Sequence, residues 1–377
     1  MSWQQNSISQ EENYMYLAIE EAKLGGIFTA PNPMVGAVIV KDGKILGKGH
    51  HHLCGEAHAE VNALLSCKEE VKGATIYVTL EPCSHYGKTP PCAEALVKSG
   101  IKKVVCSMQD PNPKVAGKGF EILRNAGIEV ECGLLEEEAR WLNRAFLKHI
   151  TTGFPCIVVK SATTADGKIA TSTGNSKWIT NEMSREKVHI LRNRMGAILT
   201  SISTIKMDNP MLNCRLDSSK YRVHQPVRLI ADTYAQLPEE SQVAQTALEY
   251  PTYLFHSSSA EKEHLEKLQQ MGIHTQELQT DGTGHISMKE LFNFVGKMGI
   301  NSVLVEAGGN LNATLWEEDW VDEFYLFIAP KIAGGHNAPT CVEGKGVDKM
   351  DFAKKLSLRS IKNLQDDILL HFQREKK

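Results

Sequence analysis

The chain has 377 residues, 42 Lys and Arg against 45 Asp and Glu, a formal net charge of -3 and 7% aromatic residues. Near-neutral charge gives no global field for a polyanion, and sparse aromatics give few platforms for stacked bases, so nucleic acid is not the expected partner, although a local pocket for one phosphate stays open. The length exceeds what one core usually supports and predicts two domains, while nine irregularly spaced cysteines predict reduced thiols, a metal rather than a disulfide framework, and hence the cytoplasm.

In chain order, the opening "MSWQQNSISQEENYMYLAIEEAK" lacks the basic start and unbroken apolar core of a signal peptide. Residues 11–24 place Tyr14, Leu17, Ala18 and Leu24 on one helical stripe. "MVGAVIV" and "KILGKG" then flank Lys41-Asp42-Gly43, a hairpin signal; the first run is too short to span a bilayer, so no membrane anchor is expected. A helix over 57–67, the strand "ATIYVTL", a helix over 92–98, the strand "KKVVCSM", a helix around 121–125 and the strand "IEVEC" follow. This reads as a mixed sheet with helices on its faces.

Residues 136–155 predict one charged helix, stopped by Thr-Thr-Gly and a proline, and the seam lies there, giving domains over 1–150 and 151–377. The second half continues with "CIVVKSA", a helix over 182–195, "GAILT", "VRLIAD", "TYLFH", and helices over 260–271 and 287–298. "SVLVEAGG", entering a further helix, and the late strands "EFYLFIAP" and "DILLHF" close it. It too predicts α/β, with antiparallel strands added late.

The chemistry concentrates between His58 and Cys92. An imidazole at a helix start can bind zinc, and a carboxylate two residues on, Glu60, points elsewhere and can serve as proton carrier without being a ligand. Cys83 follows a strand and Pro82; Cys92 follows Pro90-Pro91 at the start of the next helix, where peptide dipoles favour a thiolate. One nitrogen and two sulfurs leave a fourth tetrahedral position open, the mark of a catalytic site. The set approaches the H-x-E and P-C-x-x-C signature of zinc deaminases, but the eight residues "SHYGKTPP" stand between the cysteines where that signature has two.

"HAEVNAL" with "EPCSHYGKTPPC", preceded by "PNPMVGAVIV" and followed by "DPNPKVAGKGF", resembles the deaminase half of the bifunctional riboflavin biosynthesis proteins, whose own variant is the eight-residue spacer. The resemblance implies a cytidine-deaminase-like three-layer α/β/α fold, with His58, Cys83 and Cys92 on Zn2+ and Glu60 catalytic, acting on a pyrimidine that carries a ribosyl phosphate. It further implies that His85, Lys88, Asn32, His51, Asp110 and Asn112 line the substrate pocket, Lys88 taking the phosphate as a point charge. By residue type alone, Asn32, Asp110 and Asn112 read as turn residues beside prolines.

In the second half, the strand ending in Glu306 and followed by Gly308-Gly309 can present backbone N–H groups to a phosphate, or can be a plain tight turn. Together with "VVKSATTADGKIAT", "SKWIT", "GAILTSISTIKMDNPMLNCR" and "APKIAGG", it resembles the reductase domain of the same family, dihydrofolate-reductase-like α/β, and implies NADPH-dependent reduction of the ribosyl group to ribityl. By that resemblance Ala162, Trp178, Thr204, Asp208, Gly308, Gly309 and Asn310 meet NADPH. Ser176, Arg192, Leu212, Arg215 and Glu306 meet substrate, with Lys160 and Asp208 as polar partners near the reacting sugar. Guanidinium binds phosphate bidentately, which suits Arg192 and Arg215, although Arg192 also fits a solvated helix face. No residue distinguishes NADPH from NADH, and a homo-oligomer is neither required nor excluded. Two other readings remain: a zinc deaminase of a nucleic-acid base, and a deaminase whose second domain is a scaffold.

Overall fold

The computed structural model describes residues 9–84, 86, 90–112 and 115–375. The chain divides into two compact units, Met1–Gly153 and Phe154–Lys377.

In the first unit, α1 (Gln10–Gly25) starts at a capping box in which Ser9 and Glu12 satisfy each other's backbone N–H groups. It buries Met15, Ala18, Ile19 and Ala22 beside Tyr14, whereas Leu17 and Leu24 of the expected stripe are exposed. At Ala18 and Ala22 the helix lies almost against the sheet: a Cβ on Gly36 would sit 2.0 Å from the Ala18 carbonyl oxygen. The hairpin of β1 (Gly36–Lys41) and β2 (Lys44–His50) turns through Asp42 and Gly43, both at positive φ, as a two-residue turn requires.

There follow α2 (Ala59–Ser66), β3 (Thr75–Val78), α3 (Cys92–Ser99), β4 (Lys103–Cys106), α4 (Lys118–Asn125) and β5 (Glu129–Cys132). The sheet order is β2-β1-β3-β4-β5, antiparallel around β1 and parallel from β3 onward. Alternate residues serve opposite faces. Ala37, Ile39, Ile76, Val78 and Val104 pack with α2, α3 and α4, while Val38, Val40, Tyr77 and Val105 pack with α1, giving three layers. The single helix expected over 136–155 is two, α5 (Glu136–Leu142) and α6 (Arg144–Thr152). Asn143 breaks it, because its buried amide pairs with both the N–H and the carbonyl of Met34, each at 2.8 Å.

The second unit contains β6 (Cys156–Thr164), α7 (Glu182–Arg192), β7 (Ala197–Ser201), α8 (Ile202–Asp208), β8 (Val227–Ala231) and α9 (Gln242–Gln245). It continues through β9 (Thr252–His256), α10 (Lys262–Gln270), β10 (Ile273–Glu277), α11 (Met288–Lys297), β11 (Ser302–Val305) and α12 (Gly309–Glu317). It ends with β12 (Glu323–Ala329), β13 (Leu356–Leu364) and β14 (Asp367–Arg374). Nine strands run in the order β10-β9-β8-β7-β11-β6-β12-β14-β13. "EFYLFIAP" supplies β12, which is parallel to β6, so the antiparallel additions are only β14 and β13. The two edge strands, β10 and β13, and the short helices α8 and α9 have no counterpart in the sequence reading. These edge strands keep much of their surface in solvent, and their burial does not alternate along the strand.

Among the described residues no helix is long and apolar enough to cross a membrane.

Candidate functional site

In the first unit, His58 caps α2, Cys83 lies beyond β3 and Cys92 opens α3. The sequence folds them together because β3 and the starts of α2 and α3 meet at one end of the sheet. His58 Nδ1 lies 3.5 Å from Cys83 Sγ and 3.3 Å from Cys92 Sγ, and all three donor atoms lie within 4.8 Å of one another. Tetrahedral zinc with bonds of roughly 2.1 Å to nitrogen and 2.3 Å to sulfur separates such donors by about 3.6 Å, so the set fits the ion. The Cys92 N–H, free at the helix start, donates to Cys83 Sγ at 3.2 Å. Hydrogen bonds from the Cys92 thiol, from His58 and from this N–H draw the Cys83 thiol down, and the same shared proton pushes Cys92 up.

Glu60 is 3% exposed, and burial, with the Cys83 sulfur beside it, pushes its carboxyl up to about 7. His51 stands edge-on to the His58 ring at 5.2 Å. Its Nδ1 donates to the Ala57 carbonyl at 3.1 Å, leaving Nε2 to accept from the Asn32 amide at 3.3 Å. His51 therefore stands beside the cluster of His58, Cys83 and Cys92, and Asn32 is bonded to His51. Asp110 accepts the Asn112 N–H at 2.8 Å, an Asx turn, so these two fill the turn role their residue types predict. The buried Glu81, which sequence reasoning missed, holds that turn by accepting N–H groups of Asp110, Gly117 and Gly119. Its signal was present: a charged residue ending an apolar strand. His85 and Lys88 lie outside the described residues.

In the second unit, a cavity of about 870 Å³ opens along the carboxyl ends of the parallel strands, where open α/β sheets bind their ligands. Ala162, Trp178, Thr204, Asp208, Gly308, Gly309 and Asn310 all line it. So do Lys160, Ser176, Arg192, Leu212 and Glu306, whereas Arg215 is exposed and lies off the lining, bonded to Asn213 behind Leu212. Gly309 opens α12 and must be glycine, since a Cβ there would meet the Thr340 carbonyl oxygen at 2.5 Å. The resulting bare helix start exposes N–H groups to a phosphate, and the cavity is of a size for a dinucleotide beside a small substrate, so the residues fit NADPH.

Arg192 grips Glu306 with two bonds, 2.6 and 3.0 Å, and Lys160 Nζ stands 4.0 Å away. Arg192 is thus no solvated helix face. Burial opposes ionisation of Glu306, but Arg192 and Lys160 override it and hold the carboxyl near 2. Burial lowers Lys160, only partly offset by Glu306. Ser176 donates to Asp208 at 2.8 Å. Arg185, absent from the sequence reading, also lines the cavity and lies 4.6 Å over the Trp178 ring.

Residues 155–370 match the RibD C-terminal domain, and residues 8–108 match the cytidine and deoxycytidylate deaminase zinc-binding region. The chain is 44% identical over 360 residues to the riboflavin biosynthesis protein RibD of Actinobacillus pleuropneumoniae, covering 96% of this chain and 94% of that protein. The chain belongs to the RibD family. RibD of Escherichia coli strain K12 is 40% identical over 96% of this chain and 99% of its own length. RibD of Acinetobacter baumannii superposes with a TM-score of 0.87 at 39% identity, covering 98% of this chain and all of the other. The Thermotoga maritima diaminohydroxyphosphoribosylaminopyrimidine deaminase/5-amino-6-(5-phosphoribosylamino)uracil reductase follows with a TM-score of 0.84 at 35% identity, covering 97% of this chain and 99% of the other. The RibD pairing of a deaminase zinc-binding region with a reductase domain is present here, one in each unit.

Proposed function

We propose that residues 1–150 deaminate a diaminopyrimidinone carrying a 5-phosphoribosylamino group, and that residues 151–377 then reduce its ribosyl group to ribityl with NADPH. The observation that carries the reading is the convergence of His58, Cys83 and Cys92 beside a buried Glu60. Zinc at these ligands supplies Lewis acidity that makes water nucleophilic near neutral pH. Glu60, buried beside these ligands, takes the proton of the attacking water and passes it to the departing amine, which leaves as ammonia. Asn32 and His51 orient the pyrimidine, and Lys88 and His85 serve the phosphate and the ring or ribose. Asp110 and Asn112 complete that wall through the turn held by Glu81.

In the second unit, NADPH supplies hydride for the opened sugar carbon. Gly308, Gly309 and Asn310 receive its phosphates, with Ala162, Trp178, Thr204 and Asp208 along the same cleft. Lys160, beside Glu306, gives a proton to the sugar oxygen, while Ser176, Leu212, Arg192 and Arg215 seat the substrate. The partner is a small molecule, not nucleic acid or a membrane. The chain works in the cytoplasm, a reading supported by nine free cysteines, and a homo-oligomer is compatible with it. A coupled assay on purified protein, following ammonia release, NADPH oxidation and zinc content together, tests it. Ammonia followed by NADPH consumption is expected; zinc and ammonia without NADPH oxidation would remove the second half of the proposal.

A further inference from the structure

Pro210 and Leu212 line the reductase-side cavity, and Arg215, three residues on and off that lining, stays close enough to interact electrostatically with Glu306. Leu212 is buried at φ 51, a left-handed conformation unfavourable for a residue with a side chain, so its neighbours must hold it. They do so on both sides. Arg228, fully buried in β8, donates to the Met211 carbonyl at 3.2 Å, and Arg192 donates to the Asn213 carbonyl at 2.8 Å. The next two residues are fastened to α7: the Arg215 N–H donates to His189 Nδ1 at 3.2 Å, and the Cys214 thiol to the His189 carbonyl at 3.4 Å.

Asn213 sits at the centre of this network and is 5% exposed. Its Oδ1 accepts from Arg215 Nη1 at 2.8 Å, and its Nδ2 donates to the Tyr250 hydroxyl at 3.4 Å. Tyr250 is itself anchored, its carbonyl accepting from Arg228 at 3.0 Å and its ring 5.2 Å from that guanidinium. The amide therefore has one orientation, and that orientation aims Arg215. The chemistry of the acceptor matters. Arg192 spends its charge on Glu306, whereas a neutral amide orients Arg215 without cancelling its charge and leaves it able to bind an anion.

We propose that Asn213 is a positioning residue of the reductase half, which aims the Arg215 guanidinium at the phosphate of the substrate. This rests on the reading that Arg215 meets that phosphate. Steady-state reduction of the deaminated pyrimidine phosphate by the full chain tests both statements, with NADPH affinity measured by fluorescence titration. Asn213→Ala raises KM for the phosphorylated substrate about tenfold, the loss of one charge-assisted bond, with kcat and NADPH affinity unchanged. The rise disappears with the dephosphorylated substrate, which a merely structural role would not produce. Arg215→Ala raises KM at least as much, and the double variant is no worse than Arg215→Ala, because the amide acts through the guanidinium.

Additive effects overturn the proposal, as does an unchanged KM in Asn213→Ala beside a raised KM in Arg215→Ala. An unchanged KM in Arg215→Ala instead sinks the phosphate reading, and the inference with it. If Asn213→Ala loses NADPH binding, the unit has not folded, and Tyr250→Phe carries the test: it keeps the ring near Arg228 and removes only the hydroxyl, so a raised KM supports the proposal and an unchanged one overturns it.

Discussion

Glu60 and Cys83 lie in the same cluster but fail differently when changed. Glu60→Gln keeps shape and burial and removes only the proton carrier, so a stoichiometric zinc ion is expected to remain while ammonia release falls by 10²-fold or more, on the order of what general acid–base catalysis supplies. Cys83→Ala removes a ligand, and zinc is expected to leave with the activity; metal analysis of both purified variants checks the pair. Glu306 makes a stability statement. Its folded pKa near 2 is depressed from an ordinary 4.5, so its contribution is complete above about 4.5 and is lost as pH falls towards 2. Glu306→Gln, which strands the buried Arg192, is expected to cost on the order of 3 kcal/mol at pH 7, and the gap to wild type to narrow below about pH 4.5. Urea unfolding of both proteins across that range measures it; a gap constant with pH would show that the pair does not set the carboxyl's pKa.

At the scale of elements, most helices and central strands were legible because their apolar periodicity survives in the sequence. Besides the short helices α8 and α9, three features were not, each for its own reason. The edge strands β10 and β13 bury too little to carry a pattern. The buried stripe of α1 runs through Met15, Ala18, Ile19 and Ala22 and not through Leu17 and Leu24, and only the close approach of Gly36 to Ala18 and Ala22 fixes which side faces the sheet. The break at Asn143 depends on a bond to Met34, 109 residues away, which no local rule contains. Asn143→Ala leaves both Met34 backbone groups unpaired and is expected to cost about 3 kcal/mol, read as a lower unfolding midpoint. An unchanged midpoint would mean that the broken helix is set by local propensity instead.

For the whole molecule, each unit has a core of its own. Chelating zinc is therefore expected to abolish ammonia release and to leave NADPH oxidation intact when the already deaminated substrate is supplied. Loss of both activities on chelation would contradict independent sites. The sequence by itself singled out the cluster of His58, Cys83 and Cys92 with Glu60 and the α/β character of both halves, because donor chemistry and strand–helix periodicity are written in residue types and spacings. Only the tertiary structure decided that Arg192 is buried against Glu306, that Glu81 holds the Asp110 turn and that Asn213 accepts a bond from Arg215. Those roles arise from pairs brought together across 114, 29 and 2 positions of the chain, and even the shortest depends on Tyr250, 37 residues away. Burial and partnership of a polar side chain are properties of the packed molecule, and residue type alone does not carry them.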